Sequence, residues 1–160
     1  MQLSANSKLV VRDAVGAAAT QFTTDANTVN MKGYNRCRAV LILTQSGAGT
    51  GTVTLKQSTV AAGTDEKALA FAEYWKNETG TTTDALTLVT ASTLTTAGAA
   101  TATNMYVFEI RADQLDIDNA FTFVRLDLVS LSNNTAACLF YELYEPRVAK
   151  GPDAMPTAIT

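Results

Sequence analysis

There is no histidine in this chain, there are only two cysteines, and its three prolines all lie beyond residue 145. Each scarcity excludes something. Without histidine, Ser-His-Asp and Cys-His nucleophilic arrangements are impossible, and the commonest general base and metal ligand is missing. Cys37 and Cys138 cannot build a zinc site without further Cys or His ligands, so they read as small hydrophobes kept reduced. Charge is sparse as well: charged residues make up 17% of the chain, the net charge is -3, and the 12 Lys and Arg never gather into a run. Nucleic acid binding, which needs clustered cations, is therefore disfavoured. No apolar run approaches the roughly 18 residues of a membrane-spanning helix. Arg12 and Asp13 interrupt the one early stretch that could imitate a signal core, so neither a membrane span nor a secretory signal is expected. The expectation is a chain made in the cytoplasm and used there, or assembled there into something larger.

What is present is hydrophobic. Apolar residues make up 47% of 160 residues, and a chain of this size buries roughly 70% of its unfolded surface as one domain. The neutral remainder, rich in Thr, Ala and Ser, makes a surface that is cheap to desolvate and that favours packing against other protein copies.

Beyond the first residues the periodicity is mostly two, the signature of half-buried strands. Residues 1–18 are weakly patterned and are expected to form an N-terminal arm, with "AVGAAAT" (14–20) a short helix or an extended segment. "NRCRAVLILTQS" (35–46) alternates and then becomes continuously apolar from Val40 to Leu43, as a strand does where both faces are buried. "GTVTLKQST" (51–59) alternates with Val53 and Leu55 inward. The glycines of "GAGTG" (47–51) permit a turn that would pair these two strands as a hairpin. "KALAFAEYWKN" (67–77) suits a helix or a strand by propensity and reads as a strand between turn-like flanks. "DALTLVTAS" (84–92) is a strand, "TLTTAGAATATN" (93–104) a low-complexity loop, and "MYVFEIR" (105–111) a strand with Tyr106, Phe108 and Ile110 on one face. The strands at 121–131 and 136–145, joined by "SNNT" (132–135), read as a second hairpin. Because Pro146, Pro152 and Pro156 all follow, the sheeted body ends near Glu145 and residues 146–160 form an extended tail.

About eight short strands with turn signals between them specify an all-β, two-sheet antiparallel β-sandwich occupying 19–145, with extended arms at both ends. Jelly-roll wiring is the first choice. An immunoglobulin-like sandwich is second, prompted by the order Cys37, Trp75, Cys138, although Trp75 falls too far from Cys37 for that fold. The expected core carriers are Leu41, Leu43, Val53, Leu55, Phe108, Ile110, Val124, Leu126, Leu128, Leu139 and Tyr141.

Candidates for chemistry are few. Carboxylate pairs drawn from Glu73, Glu109, Asp127 and Glu142 could serve glycoside hydrolysis, but each is equally an outward residue of an alternating strand. "DIDN" (116–119) offers closely spaced oxygens like the opening of a calcium loop, without the later Gly and bidentate Glu of that motif, and reads as a turn. "GAGTG" is followed by a strand rather than by the Lys and helix of a phosphate loop. Tyr106, Phe108, Phe121, Phe123, Phe140, Tyr141 and Tyr144 fit a core better than a stacking platform, since no basic patch accompanies them.

The stretch "RADQLDIDNAFTFVRLDLVSLSNNTAACLFYELYEPR" (111–147) resembles capsid decoration, or cement, proteins of tailed bacteriophages, with an acidic-hydrophobic turn before the penultimate strand and a last strand with a Tyr-x-Pro-Arg-like exit. "GYNRCRAVLILTQSGAGTGTVTLKQST" (33–59) is similar to their first hairpin and "EKALAFAEYWKN" (66–77) to the strand that follows; the loop at 93–104 departs from that pattern. The resemblance covers about two thirds of the chain. It implies a jelly-roll that binds the outside of the expanded shell of the phage's major capsid protein, commonly as a trimer, located on the virion surface after assembly in the host cytoplasm. It implies no cofactor, no metal, no catalytic residue, no nucleic acid and no membrane. The candidate capsid or oligomer interface is Leu9, Val10, Val11 and Arg12 in the first arm, with Pro146, Arg147, Pro152, Met155 and Pro156 in the tail. Other virion parts, such as tail, connector or fibre-base proteins, share the fold class, and a carbohydrate-binding sandwich is a further alternative.

Overall fold

An alternating strand buries one side only, so two sheets must face each other to hide their apolar sides. The computed structural model describes residues 7–14, 27–45, 50–78, 84–97, 103–129, 134–147 and Ala158. Among these, β1 (Ser7–Ala14), β11 (Asn134–Pro146), β3 (Tyr34–Gln45), β9 (Thr103–Arg111), β6 (Glu73–Asn77) and β7 (Thr87–Thr90) form, in that spatial order, a six-stranded antiparallel sheet. β2 (Val29–Asn30), β10 (Phe123–Val129), β4 (Thr52–Ser58) and β5 (Lys67–Leu69) form the facing sheet, in which β8 (Leu94–Thr95) also pairs with β4. The protein is thus an all-β, two-sheet antiparallel sandwich.

Its wiring is that of a jelly-roll. The couples β1 with β11, β2 with β10, β3 with β9 and β4 with β5 are the nested pairs of one long hairpin rolled over on itself. β6, β7 and β8 are inserted between β5 and β9; two of them widen one sheet and the third lies against β4. The immunoglobulin alternative fails, because Cys37 and Cys138 sit on β3 and β11 of the same sheet and no disulfide joins them. Cys37 faces the core, where burial pushes its thiol pKa well up. Cys138 is half-buried on the opposite face.

All eleven expected core carriers are buried, with Leu41, Leu43, Phe108, Leu126, Leu128, Leu139 and Tyr141 fully so. The two sheets are also stitched across the core: the Leu126 amide on β10 donates to the Tyr141 hydroxyl on β11 at 2.8 Å. Phe71, Tyr74 and Phe108 pack as an aromatic cluster, with Phe71 edge-on to the other two.

Several expectations about connection need correction. β3 and β4 do not form a hairpin; they lie in different sheets, and so do β10 and β11. Alternation specifies which face of a strand is buried but not which strand lies beside it, and in a rolled hairpin consecutive strands cross between sheets. The segment 67–77 is two strands rather than one, since the chain leaves β5 in one sheet and enters β6 in the other. The first arm is not free: residues 7–14 are the outer strand of the six-stranded sheet, paired with β11 from Ser7↔Tyr144 to Ala14↔Cys138. Ala158 is fully buried, and its carbonyl accepts from the Asn30 amide at 2.8 Å. The rest of "AVGAAAT" after Ala14, most of "GAGTG", part of the loop at 93–104 and the first half of "SNNT" lie outside the described residues.

Candidate interaction surface

The face of the six-stranded sheet turned away from the core carries the most distinctive surface among the described residues. In β3 the core takes Ala39, Leu41 and Leu43, so Val40 and Ile42 point the other way; in β9 it takes Tyr106, Phe108 and Ile110, which turns Met105, Val107 and Glu109 outward. Strand register then lines these outward residues up. Val11, Phe140, Val40, Val107, Trp75 and Leu88 are direct cross-strand partners in succession, one from each of the six strands. A second apolar row, Cys138, Ile42 and Met105, runs beside it.

These two rows are bounded by polar ones. On one side Glu142, Arg38 and Glu109 are register partners, with Arg38 Nε donating to Glu109 at 2.7 Å and Nη1 to Glu142 at 3.0 Å. The Tyr144 hydroxyl also donates to Glu109, and desolvation by partial burial pushes the phenol pKa up to about 12. On the other side Thr44 and Thr103 face each other with their hydroxyls 3.1 Å apart. An open groove of about 500 Å³ lies where the charged row meets the apolar row through Val40, lined by Arg38, Glu109 and Glu142 together with Val40, Val107, Phe140, Met105, Trp75 and Leu86. Leu9, Val11, Leu86 and Leu88 are exposed by 62, 56, 45 and 49%. These four lie at the two edges of the sheet, Leu9 and Val11 on β1 and Leu88 on β7 with Leu86 just before it, while Val40 and Val107 between them are buried.

The expected interface residues divide accordingly. Leu9 and Val11 belong to this face. Val10 does not, since it is buried in the core. Arg12 reaches toward the opposite sheet and clasps the Thr28 carbonyl through Nε at 3.0 Å and through Nη2; desolvation lowers its pKa. Pro146 ends β11 opposite Tyr34, and Arg147 bonds back to the body, its amide to the Gly33 carbonyl at 2.8 Å and its Nε to Asn35 at 3.1 Å. Pro152, Met155 and Pro156 lie outside the described residues. Sequence reasoning did not name Trp75, Leu88, Val107 or Met105 for this surface. The uninterrupted run Val40 to Leu43 was its one visible signal, because it required cover on both sides of β3.

The chemistry candidates are engaged as structural groups. Glu109 and Glu142 share one arginine. Asp127, expected to point into solvent, is buried and accepts from Lys56 at 2.9 Å. Glu73 is exposed at the start of β6. In "DIDN", Asp116 accepts from Lys67 and from Asn119, and the lysine bond is the main cause of its lowered pKa. Among the described residues no group of three or more Cys, Asp or Glu is arranged to hold a metal ion. Of the aromatic set, Tyr106, Phe108 and Tyr141 are fully buried and Phe123 is buried, while Phe121, Phe140 and Tyr144 are half-buried. Among the described residues no helix is long and apolar enough to cross a membrane.

No protein-family model, no curated protein and no solved structure matches the chain.

Proposed function

We propose that this protein is a structural component of a tailed-phage virion that binds the outer surface of the major capsid protein shell and stabilises it. The observation that carries the reading is the apolar row that crosses the outer face of the six-stranded sheet, on a body of low charge several of whose carboxylates, Glu66, Glu109, Asp127 and Glu142 among them, are held in ion pairs. A surface of that kind gives up little hydration on contact, and many repeated copies bury a large total area at about 25 cal/mol per Å² of apolar surface. The resemblance of residues 111–147 to decoration proteins points the same way. In this reading the protein is not an enzyme, needs no cofactor and works on the capsid surface.

The test is co-sedimentation of the purified chain with expanded shells of the encoding phage stripped of this protein. Saturable binding, with a fixed ratio to the coat protein, is expected. No binding to shells, with binding to purified tails or connectors instead, would move the protein to another part of the virion.

One observation favours a second reading. Trp75 is half-buried beside the groove rather than locked in the core, which a carbohydrate-binding sandwich requires of its stacking residue. Quenching of Trp75 fluorescence by a panel of oligosaccharides, lost in Trp75→Ala, would favour it over the capsid reading.

A further inference from the structure

We infer that a pocket at one end of the sandwich binds the side-chain carboxylate of an acidic peptide segment that carries an apolar residue beside it. This goes beyond the shell-binding reading and does not depend on it. The pocket holds about 340 Å³ and lies where β3 begins and β9 and β11 end; it shares no residue with the groove beside Trp75.

Three arginines meet there. Arg36 on β3 and Arg111 on β9 are direct cross-strand partners, and Arg147 follows the end of β11. Like charges placed directly opposite destabilise a sheet, and two carboxylates of the pocket offset part of that. Asp113 takes Arg111 with both oxygens, each at 3.0 Å, and Glu145 takes Arg36 at 3.2 Å. Arg147 is left over, since among the described residues no carboxylate pairs with it. The pocket therefore carries one uncompensated positive charge, in a chain whose net charge is -3.

That charge is fixed in place. Gly33, at a φ of 95°, makes the turn that sets its carbonyl against the Arg147 amide at 2.8 Å, and Asn35 accepts from Arg147 Nε at 3.1 Å. Among the described residues neither terminal nitrogen of this guanidinium has a partner, so both remain for a ligand in the planar fork that carboxylates fit. Glu145 is held against its backbone preference. Leu143 faces the core and alternation would turn Glu145 the same way, but a φ of 53° brings its carboxylate out beside Arg36. A non-glycine residue keeps such a conformation only where its surroundings impose it, and positions of this kind gather at ligand clamps.

Charge and shape select the occupant. One uncompensated positive charge matches one carboxylate, whereas a polyanion would be repelled by Asp113 and Glu145. Ile117, 56% exposed, forms part of the wall; a bare inorganic ion leaves it wet, and an apolar side chain next to the carboxylate covers it. The pocket is open at the surface, so a passing segment reaches it with a side chain and needs no chain end.

The test is a nuclear magnetic resonance titration of the isotope-labelled full chain with acetyl-Glu-Leu-amide, following the arginine Nε–H signals. Saturable shifts at Arg36, Arg111 and Arg147 are expected, with a dissociation constant in the millimolar range because exposed ion pairs are weak. Acetyl-Gln-Leu-amide should bind about tenfold or more weakly. Arg147→Gln, at an exposed position that leaves the remaining spectrum unchanged, should weaken acetyl-Glu-Leu-amide by a similar factor. Ile117→Ser should remove the preference for acetyl-Glu-Leu-amide over acetyl-Glu-Gly-amide. Titration without saturation, equal binding of the Gln peptide, an Arg147→Gln protein that binds as before, or inorganic phosphate binding the same arginines more tightly than the peptide would each overturn the inference.

Discussion

The two sheets turn different outer faces to their surroundings, although the strands of both alternate in the same way. On the six-stranded sheet one row of outward positions is apolar across all six strands, with charged and hydroxyl rows to either side. On the smaller sheet the outward positions around Arg125, Asp127 and Lys56 are ionic and covered by a loop, while Thr52 and Thr54 are exposed. There Arg125 and Lys56 are direct cross-strand partners, a like-charged pair that Glu66, from the loop after β4, neutralises by accepting from Arg125 at 2.6 Å and lying 3.4 Å from Lys56. Lys56 also reaches Asp127 at 2.9 Å, and this bond is the main cause of its raised pKa. Arg125 and Asp127 are left 3% and 5% exposed. The loop is held over the sheet by further bonds, from Thr59 to Asp65 and from Thr28 to the Ala61 carbonyl. Part of one outer face is thus covered by the chain's own charges, while the other carries an apolar row across all six strands, which is why the proposed contact surface is placed on the second.

The largest effect expected is loss of the whole fold in alkali. Burial raises the pKa of Tyr141 above its ordinary value of 10.0. A group protonated more tightly in the folded state gives stability that is complete below the unfolded pKa and disappears as pH rises through the folded one. Tyrosinate absorbance should therefore lag until the circular dichroism signal collapses above about pH 10; ionisation of every tyrosine before unfolding would deny Tyr141 its place between the sheets. Next, Leu126→Ala, in the layer both sheets share, should cost about 2–5 kcal/mol by urea denaturation, and a cost near zero would invert the strand phase of β10. Arg125→Ala, which strips Glu66 of its main partner, should cost about 3 kcal/mol. If it costs nothing, the covered part of that face is not held by charge. Smallest of all, Leu88→Lys on the open face should change stability by no more than about 0.5 kcal/mol, because its side chain is already exposed; a large loss would mean that something in the chain covers it.

How much of this was legible in the sequence depends on what a local pattern encodes. Period two fixed the inward residues of each strand, so every expected core position from Leu41 to Tyr141 is buried. The same pattern is silent about neighbours, which is why two expected hairpins turned out to be crossings between sheets. Propensity hid the break at Ala70 to Ala72, because the Ala-rich stretch around it suits helix and strand alike. The arms misled for a similar reason. "SKLVVRDA" alternates over too few residues to stand out, yet β11 is long enough to give it a partner along its whole length. At the surface, Leu9 and Val11 were named from their place in the first segment, and both are exposed on the outer face. Val107, Trp75 and Leu88 were not, because they come from three different strands and only register joins them into one row. Asp127 was read as solvent-facing since it alternates with Leu126 and Leu128; its burial comes from a loop folded over the sheet, a long-range event that no spacing along β10 records.

The measurement that tests the proposed function most directly is the copy number of this chain in purified virions of the phage that, on that proposal, encodes it, by quantitative peptide mass spectrometry. The account predicts an abundance in simple proportion to the major capsid protein. Absence from the particle would contradict it.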